Sequence, residues 1–325
     1  MVALFIVSAE EAVGKTAFAA GIGKRLLGEG KKVGYLRPGA RDGDVAFMKQ
    51  VLNLAEPVEA LTPALEGIKQ AFARVAGRDV VIIEGRCGQN PQDNLSKAVY
   101  QIAENVSAKV LVVEGYTPEL GRMRLVDTYK GFGGNLIGIV FNRVPKSQLE
   151  KVRKQVSPRF NEAGIPVLGE IPEDRALLAI TIGELAGAIQ GEILNNADRS
   201  NELVENIMLG AMYVDSGLEY FGRKASKAVI LRHDRPDMQL AALETPTKCL
   251  VISGNSTPVH GSVRASAERK KVPIILAKSD VNTIISNIEE ALAKSRFSQE
   301  GKLKKLAEIL EAEVDFKALY KALGL

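Results

Sequence analysis

Six short apolar runs that lack polar alternation constrain this chain more than any other feature. They occupy residues 2–8, 33–36, 80–84, 109–113, 136–141 and 167–171, and each is rich in Val, Ile or Leu. Helical patterns separate them, the first over residues 16–27 and stopped by Gly28 and Gly30. A strand that is apolar on both faces must be covered on both, so the order predicts an α/β fold: a parallel sheet with helices on either side. Residues 182–193 read as the helix that closes this half. Residues 194–203 are polar and break the pattern, and the domain boundary is placed there. A second, smaller α/β series follows, with strands at 207–212, 228–231, 249–252 and 274–276 and short helices at 215–221, 236–243 and 263–270. After Val281 only helical periodicity remains. At 325 residues the chain is too long for one ordinary core. The reading is therefore a domain at 1–195, a second at 204–295 and a helical tail at 296–325.

Composition narrows the functional classes. Charged residues make up 25% and the net charge is only +4, without the concentrated basic stripe of a nucleic-acid binder. Aromatic residues are 5% and tryptophan is absent, which disfavours a stacking platform for single strands. No apolar run approaches the length of a spanning helix, so no membrane role is expected. Two distant cysteines, Cys87 and Cys249, make neither a disulfide framework nor a metal cluster. Buried thiols in a reducing cytoplasm account for them.

The run A-E-E-A-V-G-K-T at 9–16 follows the first strand directly. It carries Gly14, Lys15 and Thr16 of the pattern G-x-x-x-x-G-K-[ST], with Ala9 in place of the first glycine. Phosphates carry dense negative charge, and free N–H groups at a helix N-terminus point at them while the helix dipole adds attraction. The backbone of Glu11, Ala12, Val13, Gly14, Lys15, Thr16 and Ala17 would wrap the phosphates. Lys15 would reach the β- and γ-phosphates, and the Thr16 hydroxyl would face Mg²⁺. The cofactors implied are ATP and Mg²⁺. A chance Gly-Lys-Thr on a plain strand–turn–helix is the alternative.

Carboxylates at strand ends support a metal site. Glu84 ends the strand D-V-V-I-I-E, and either helps hold Mg²⁺ or is an ordinary loop carboxylate. Asp42 and Asp44 lie beyond the second strand, where ligands of open α/β sheets gather. Asp44 either reaches the metal or caps the following helix. Arg37, at the end of the same strand, either binds an anionic substrate or γ-phosphate or pairs with a nearby carboxylate. In the second half, His233 sits among Arg232, Asp234 and Arg235, and S-G-N-S-T at 253–257 follows another strand. Both can hold an anion or be plain surface turns. A Cys87–His pair is disfavoured, because His233 and His260 are the only histidines and both are remote from it in sequence.

These blocks together resemble dethiobiotin synthetase and its relatives. S-A-E-E-A-V-G-K-T is similar to that family's phosphate loop, and Y-L-R-P at 35–38 to its strand ending in Lys-Pro. Asp44 stands where the family places a magnesium aspartate, and I-E-G-R-C-G at 83–88 resembles V-E-G-A-G-G. G-I-V-F-N at 138–142 resembles the strand whose last asparagine recognises adenine, which assigns Asn142, with Arg143, to the base. P-V-L-G-E-I-P at 166–172 resembles the strand and loop that pass base and ribose, also seen in cobyrinic acid diamide synthases, and assigns Pro172. Residues 204–290 resemble a DRTGG domain, through E-N-I-M-L-G-A-M, H-D-R-P-D and L-V-I-S-G-N. That succession resembles the N-terminal, non-transferase region of long bacterial phosphate acetyltransferases, and residues 301–319 resemble the helical linker before their transferase domain.

Arg37 replaces the family's lysine, and Arg86 and Cys87 interrupt its glycine pair. An arginine holds an anion with two prongs but does not readily shuttle a proton. The resemblance therefore implies a nucleotide-responsive regulatory or sensing module, a homodimer by family analogy, and a small anionic metabolite in the second domain. If the chain is an enzyme, it is an ATP hydrolase or an ATP-dependent carboxylate ligase, with Lys15 and Arg37 as the catalytic residues. A scaffold with a decayed site is the third reading.

Overall fold

The computed structural model describes residues 1–39, 43–85, 97–118, 120, 124–210, 217–254, 258–294 and 297–325. Asp42, Arg86, Cys87 and the segments 211–216 and 255–257, which enter the expectations above, lie outside the described residues. The chain divides into two compact units, Met1–Asp174 with Arg296–Leu325, and Arg175–Ser295.

The first unit is built on strands β1 (Val2–Val7), β2 (Val33–Leu36), β3 (Val80–Glu84), β4 (Lys109–Gly115), β5 (Leu136–Val144) and β6 (Val167–Pro172). They form one sheet in the order β2-β3-β1-β4-β5-β6, and every pair is parallel. All six expected strands are present. Val80, Val81, Ile82 and Ile83 are fully buried, as the unbroken apolar runs require of a sheet covered on both faces. The connection from β1 runs toward β2, and that from β4 runs away to β5. The carboxyl ends of β1 and β4 therefore border a topological crevice, where open α/β sheets take their ligands. Helix α1 (Lys15–Gly28) starts in that crevice, and α2 (Asp44–Val51) follows β2.

The C-terminal helices close this unit. Leu306, Leu310 and Leu319 are buried, and the Arg25 guanidinium of α1 stacks over the Phe316 ring at 4.1 Å. Val314 bridges to Gly169 of β6, and the Asp315 N–H donates to the Leu168 carbonyl at 2.8 Å. A Cβ at Gly169 would stand 2.5 Å from the Glu313 carbonyl oxygen, so this edge accepts only glycine. Residues 301–319, which resemble a helical linker, thus pack into the core of the first unit.

The second unit carries β7 (Ile180–Thr181), β8 (Glu192–Ile193), β9 (Leu203–Val204), β10 (Asn206–Leu209), β11 (Lys227–Arg232), β12 (Thr247–Ser253) and β13 (Ile274–Ala277). Its main sheet has the order β10-β11-β12-β13-β8, parallel except for β8, while β7 and β9 pair as a small ribbon. Two apolar clusters cover its faces. The helix expected over 182–193 ends at Ala188. Gln190 takes a left-handed φ of 51°, and the chain turns to pair β8 antiparallel to β13. That helix starts from a capping box between Thr181 and Glu184, and it belongs to this unit rather than closing the first. The division falls after Asp174, earlier than the polar stretch at 194–203. No described helix is long and apolar enough to cross a membrane.

Candidate functional site at the head of helix α1

The loop between β1 and α1 turns on backbone sign changes. Ala12 has φ 56° and Gly14 φ 97°, while Glu11 and Val13 are not left-handed. Alternating hands along successive residues curl their N–H groups toward one concave side, the geometry that collects anions. Gly14 is needed twice, for its φ and because a Cβ there would lie 2.4 Å from Asn142 Nδ2. Ala12 bears the strain of a left-handed L-residue, about 1–2 kcal/mol. Such strain marks positions that the surroundings hold for a purpose. The first turn of α1 carries no acidic residue, so its positive end is not neutralised from within. Ala9 has no positive φ, which explains why alanine serves where the pattern has glycine.

The loop is pinned from outside. The Asn142 amide donates to the Val13 carbonyl at 2.8 Å, and its oxygen accepts from the Arg143 N–H at 2.9 Å. Asn142, assigned to the base by resemblance, thus braces the phosphate loop in this state. Arg143 follows with φ 55°; burial lowers its pKa, and Glu173 opposes that. Pro172 pairs in register with Val144 at the end of β6. Lys15 is buried and folds back on its own loop, with Nζ 2.6 Å from Ser8 Oγ and 3.3 Å from the Glu10 carbonyl.

Register brings the charged residues together. Leu36 lies beside Ile83, so Arg37, just past β2, and Glu84, the last residue of β3, stand at one level. Ile6 lies beside Glu84, which sets that carboxylate under the loop. Thr16 Oγ1 donates to Glu84 Oε1 at 2.7 Å, and the Tyr35 hydroxyl donates to Oε2 at 2.9 Å. Arg37 Nη1 is 2.6 Å from Asp44 Oδ2 and its Nη2 is 3.5 Å from Glu84 Oε1. Burial disfavours the charged guanidinium, but the carboxylates outweigh it and its pKa is raised. The charge-pair reading of Arg37 is what the structure shows. Glu84 is 1% exposed and no loose loop carboxylate. Asp44 is the first helical residue of α2 and not its cap, which is Gly43.

A second carboxylate was missed. Glu114, the penultimate residue of β4, is buried; its Oε1 accepts from the Ala9 N–H at 2.6 Å and from the Tyr129 hydroxyl. The signal was there: K-V-L-V-V-E-G at 109–115 repeats the form of D-V-V-I-I-E-G at 79–85. Ser8, which holds Lys15, escaped notice because a single serine after a strand carries no pattern.

In the second unit the suspected anion site is locally satisfied. Arg232 forks onto Asp234 at 3.0 and 2.5 Å, and Arg235 onto Asp237 at 3.0 and 2.8 Å. Ser253 donates to the Ser279 carbonyl at 3.1 Å. Among the described residues no three His, Cys, Asp or Glu side chains gather as a metal cluster. Cys249 is buried, and burial pushes its thiol up to about 12.

Sheet order, loop and helix define an α/β protein of the P-loop NTPase type with a second, smaller α/β unit. The chain belongs to the AAA domain family, whose model matches residues 2–181, and the DRTGG domain model matches residues 184–291. Phosphate acetyltransferase of Escherichia coli (strain K12) is 21% identical over 290 residues, covering 74% of this chain and 40% of that protein. The Deinococcus radiodurans phosphate acetyltransferase is 26% identical over 296 residues, covering 79% and 42%. The chain thus spans about two-fifths of the length of these relatives, in their N-terminal region. Among solved structures, the MinD cell division protein of Aquifex aeolicus aligns with TM-score 0.38 and 18% identity, over 55% of this chain and 84% of that one.

Proposed function

We propose that the first unit binds the phosphates of a nucleoside triphosphate, ATP, at residues 9–16, and that these two units act as a nucleotide-responsive regulatory module. The observation that carries this is the loop itself. Alternating φ signs at residues 11–14 and a lysine at the head of a 14-residue helix are built for a polyanion. Glu114 takes the Ala9 N–H at the entrance, and the turn of α1 behind it stays free of acid. On binding, Lys15 would exchange Ser8 and the Glu10 carbonyl for phosphate oxygens.

Thr16, Asp44 and Glu84 are hard oxygen donors, the right chemistry for Mg²⁺, and are the residues that would hold it. The Arg37 guanidinium lies within ion-pair reach of both carboxylates, 2.6 Å from Asp44 and 3.5 Å from Glu84. The same contact weakens the ligase reading, since Arg37 is engaged and not turned toward a substrate. The second unit, under this proposal, reports or receives the nucleotide state, with a small anionic metabolite or a second copy of the chain as partner.

Titration calorimetry tests the site. Lys15→Ala is expected to lower ATP affinity by at least about tenfold, the loss of one charge-assisted contact, with the first unit still folded. Unchanged affinity refutes the assignment. Phosphate release with and without small organic acids separates the roles: acid-stimulated turnover favours the ligase, and binding with negligible turnover favours the sensor.

A further inference from the structure

We infer that Arg37 is the built-in cation of this phosphate site, standing where a divalent ion would otherwise bridge Asp44 and Glu84, so that nucleotide binds without a free divalent cation. The inference rests on the nucleotide site proposed above. It starts from an electrostatic need. Asp44 and Glu84 are both buried, and Glu84 is one hydrogen bond from the Thr16 hydroxyl at the foot of the phosphate loop. A triphosphate arriving there meets two carboxylates, and like charges in a buried site repel strongly unless a cation lies between them.

The structure supplies that cation from the chain. The two terminal nitrogens of one guanidinium address the two carboxylates, 2.6 Å to Asp44 and 3.5 Å to Glu84. A planar fork with fixed charge suits two acceptors, where a lysine would serve as a point charge. The Arg37 side chain is 15% exposed, so water screens the contacts little. Both Glu84 oxygens are engaged: Oε1 accepts from Thr16 and lies 3.5 Å from Arg37 Nη2 as an ion pair, and Oε2 accepts from Tyr35. A divalent ion entering would have to displace these contacts and sit beside a buried guanidinium of like charge, which is strongly unfavourable. Register makes the arrangement structural, because neighbouring strands β2 and β3 deliver Arg37 and Glu84 at one level.

The test uses the full chain, wild type and Arg37→Gln, titrated with ATP in Mg²⁺ and in excess chelator. Wild-type affinities in the two solvents are expected to agree within about threefold. Arg37→Gln is expected to lose about tenfold or more in chelator and to regain it in Mg²⁺, because the ion then fills the vacated place. In parallel, Mn²⁺ binding without nucleotide is followed by electron paramagnetic resonance. Wild type is expected to leave Mn²⁺ free, and Arg37→Gln to bind it. Arg37→Lys, which keeps the charge but not the fork, is expected to fall between them and serves if the glutamine variant does not fold. A wild-type protein that needs Mg²⁺ to bind ATP, or that binds Mn²⁺ alone, overturns the role of Arg37 and leaves the nucleotide site standing. Failure of wild type to bind ATP in either solvent refutes the nucleotide site and this inference with it.

Discussion

Glu114 places a carboxyl in the dry end of β4, facing the Ala9 N–H, the Tyr129 hydroxyl, Glu10 and Lys15. Burial raises its pKa most, Glu10 adds to the rise, and the two hydrogen bonds and Lys15 work against it. The sign of the linkage follows. With the folded value above the ordinary 4.5, the folded chain holds a proton that the unfolded chain has released. Stability contributed by this group is full below the ordinary glutamate value and is lost as pH rises through the raised one. Glu114→Gln keeps an acceptor for Ala9 and removes the titration. Denaturant unfolding from acidic to neutral pH should show wild type losing stability relative to the glutamine variant; parallel curves would contradict this. Glu84 was found from the sequence and Glu114 was not, although their strands read alike. A motif upstream pointed to one, and only the sheet order, with β3 and β4 flanking β1, shows that both border the loop.

At the scale of elements, helices Leu303–Glu313 and Phe316–Leu323 matter most, because their periodicity predicted helix and said nothing of what they cover. Leu306, Ile309 and Leu310 form a stripe that suits a linker helix, a coiled coil or a core. In the structure Leu310 is 2% exposed and packs near α1. Leu310→Ala should therefore destabilise the first unit by about 2–5 kcal/mol, the cost of an unfilled core site. A solvated linker would lose only a few tenths, and chemical denaturation distinguishes the two. The 182–193 stretch went the other way. Its apolar residues were seen, but a left-handed Gln190 and the unpaired edge of β13 turned the end of the predicted helix into a strand. Pairing with a distant edge satisfies backbone groups that helix propensity alone cannot anticipate.

For the whole molecule, the first unit is discontinuous and the second is a continuous insertion into it. Residues 175–295 hold their own sheet and two apolar clusters, so this fragment should melt cooperatively by itself. Residues 1–174 lack the C-terminal helices and should be less stable than the full first unit, recovering when a peptide of residues 296–325 is added. A fragment 1–174 as stable as the intact unit contradicts this. The sequence by itself determined the parallel α/β class, the strands and the phosphate loop, because these depend on contiguous residues whose polarity and φ preferences are local. Tertiary structure alone decided that Arg37 bridges Asp44 and Glu84, that Asn142 braces the loop, and that the chain's end returns to its beginning. Each of those depends on strand order and register, which are set by packing between segments far apart along the chain.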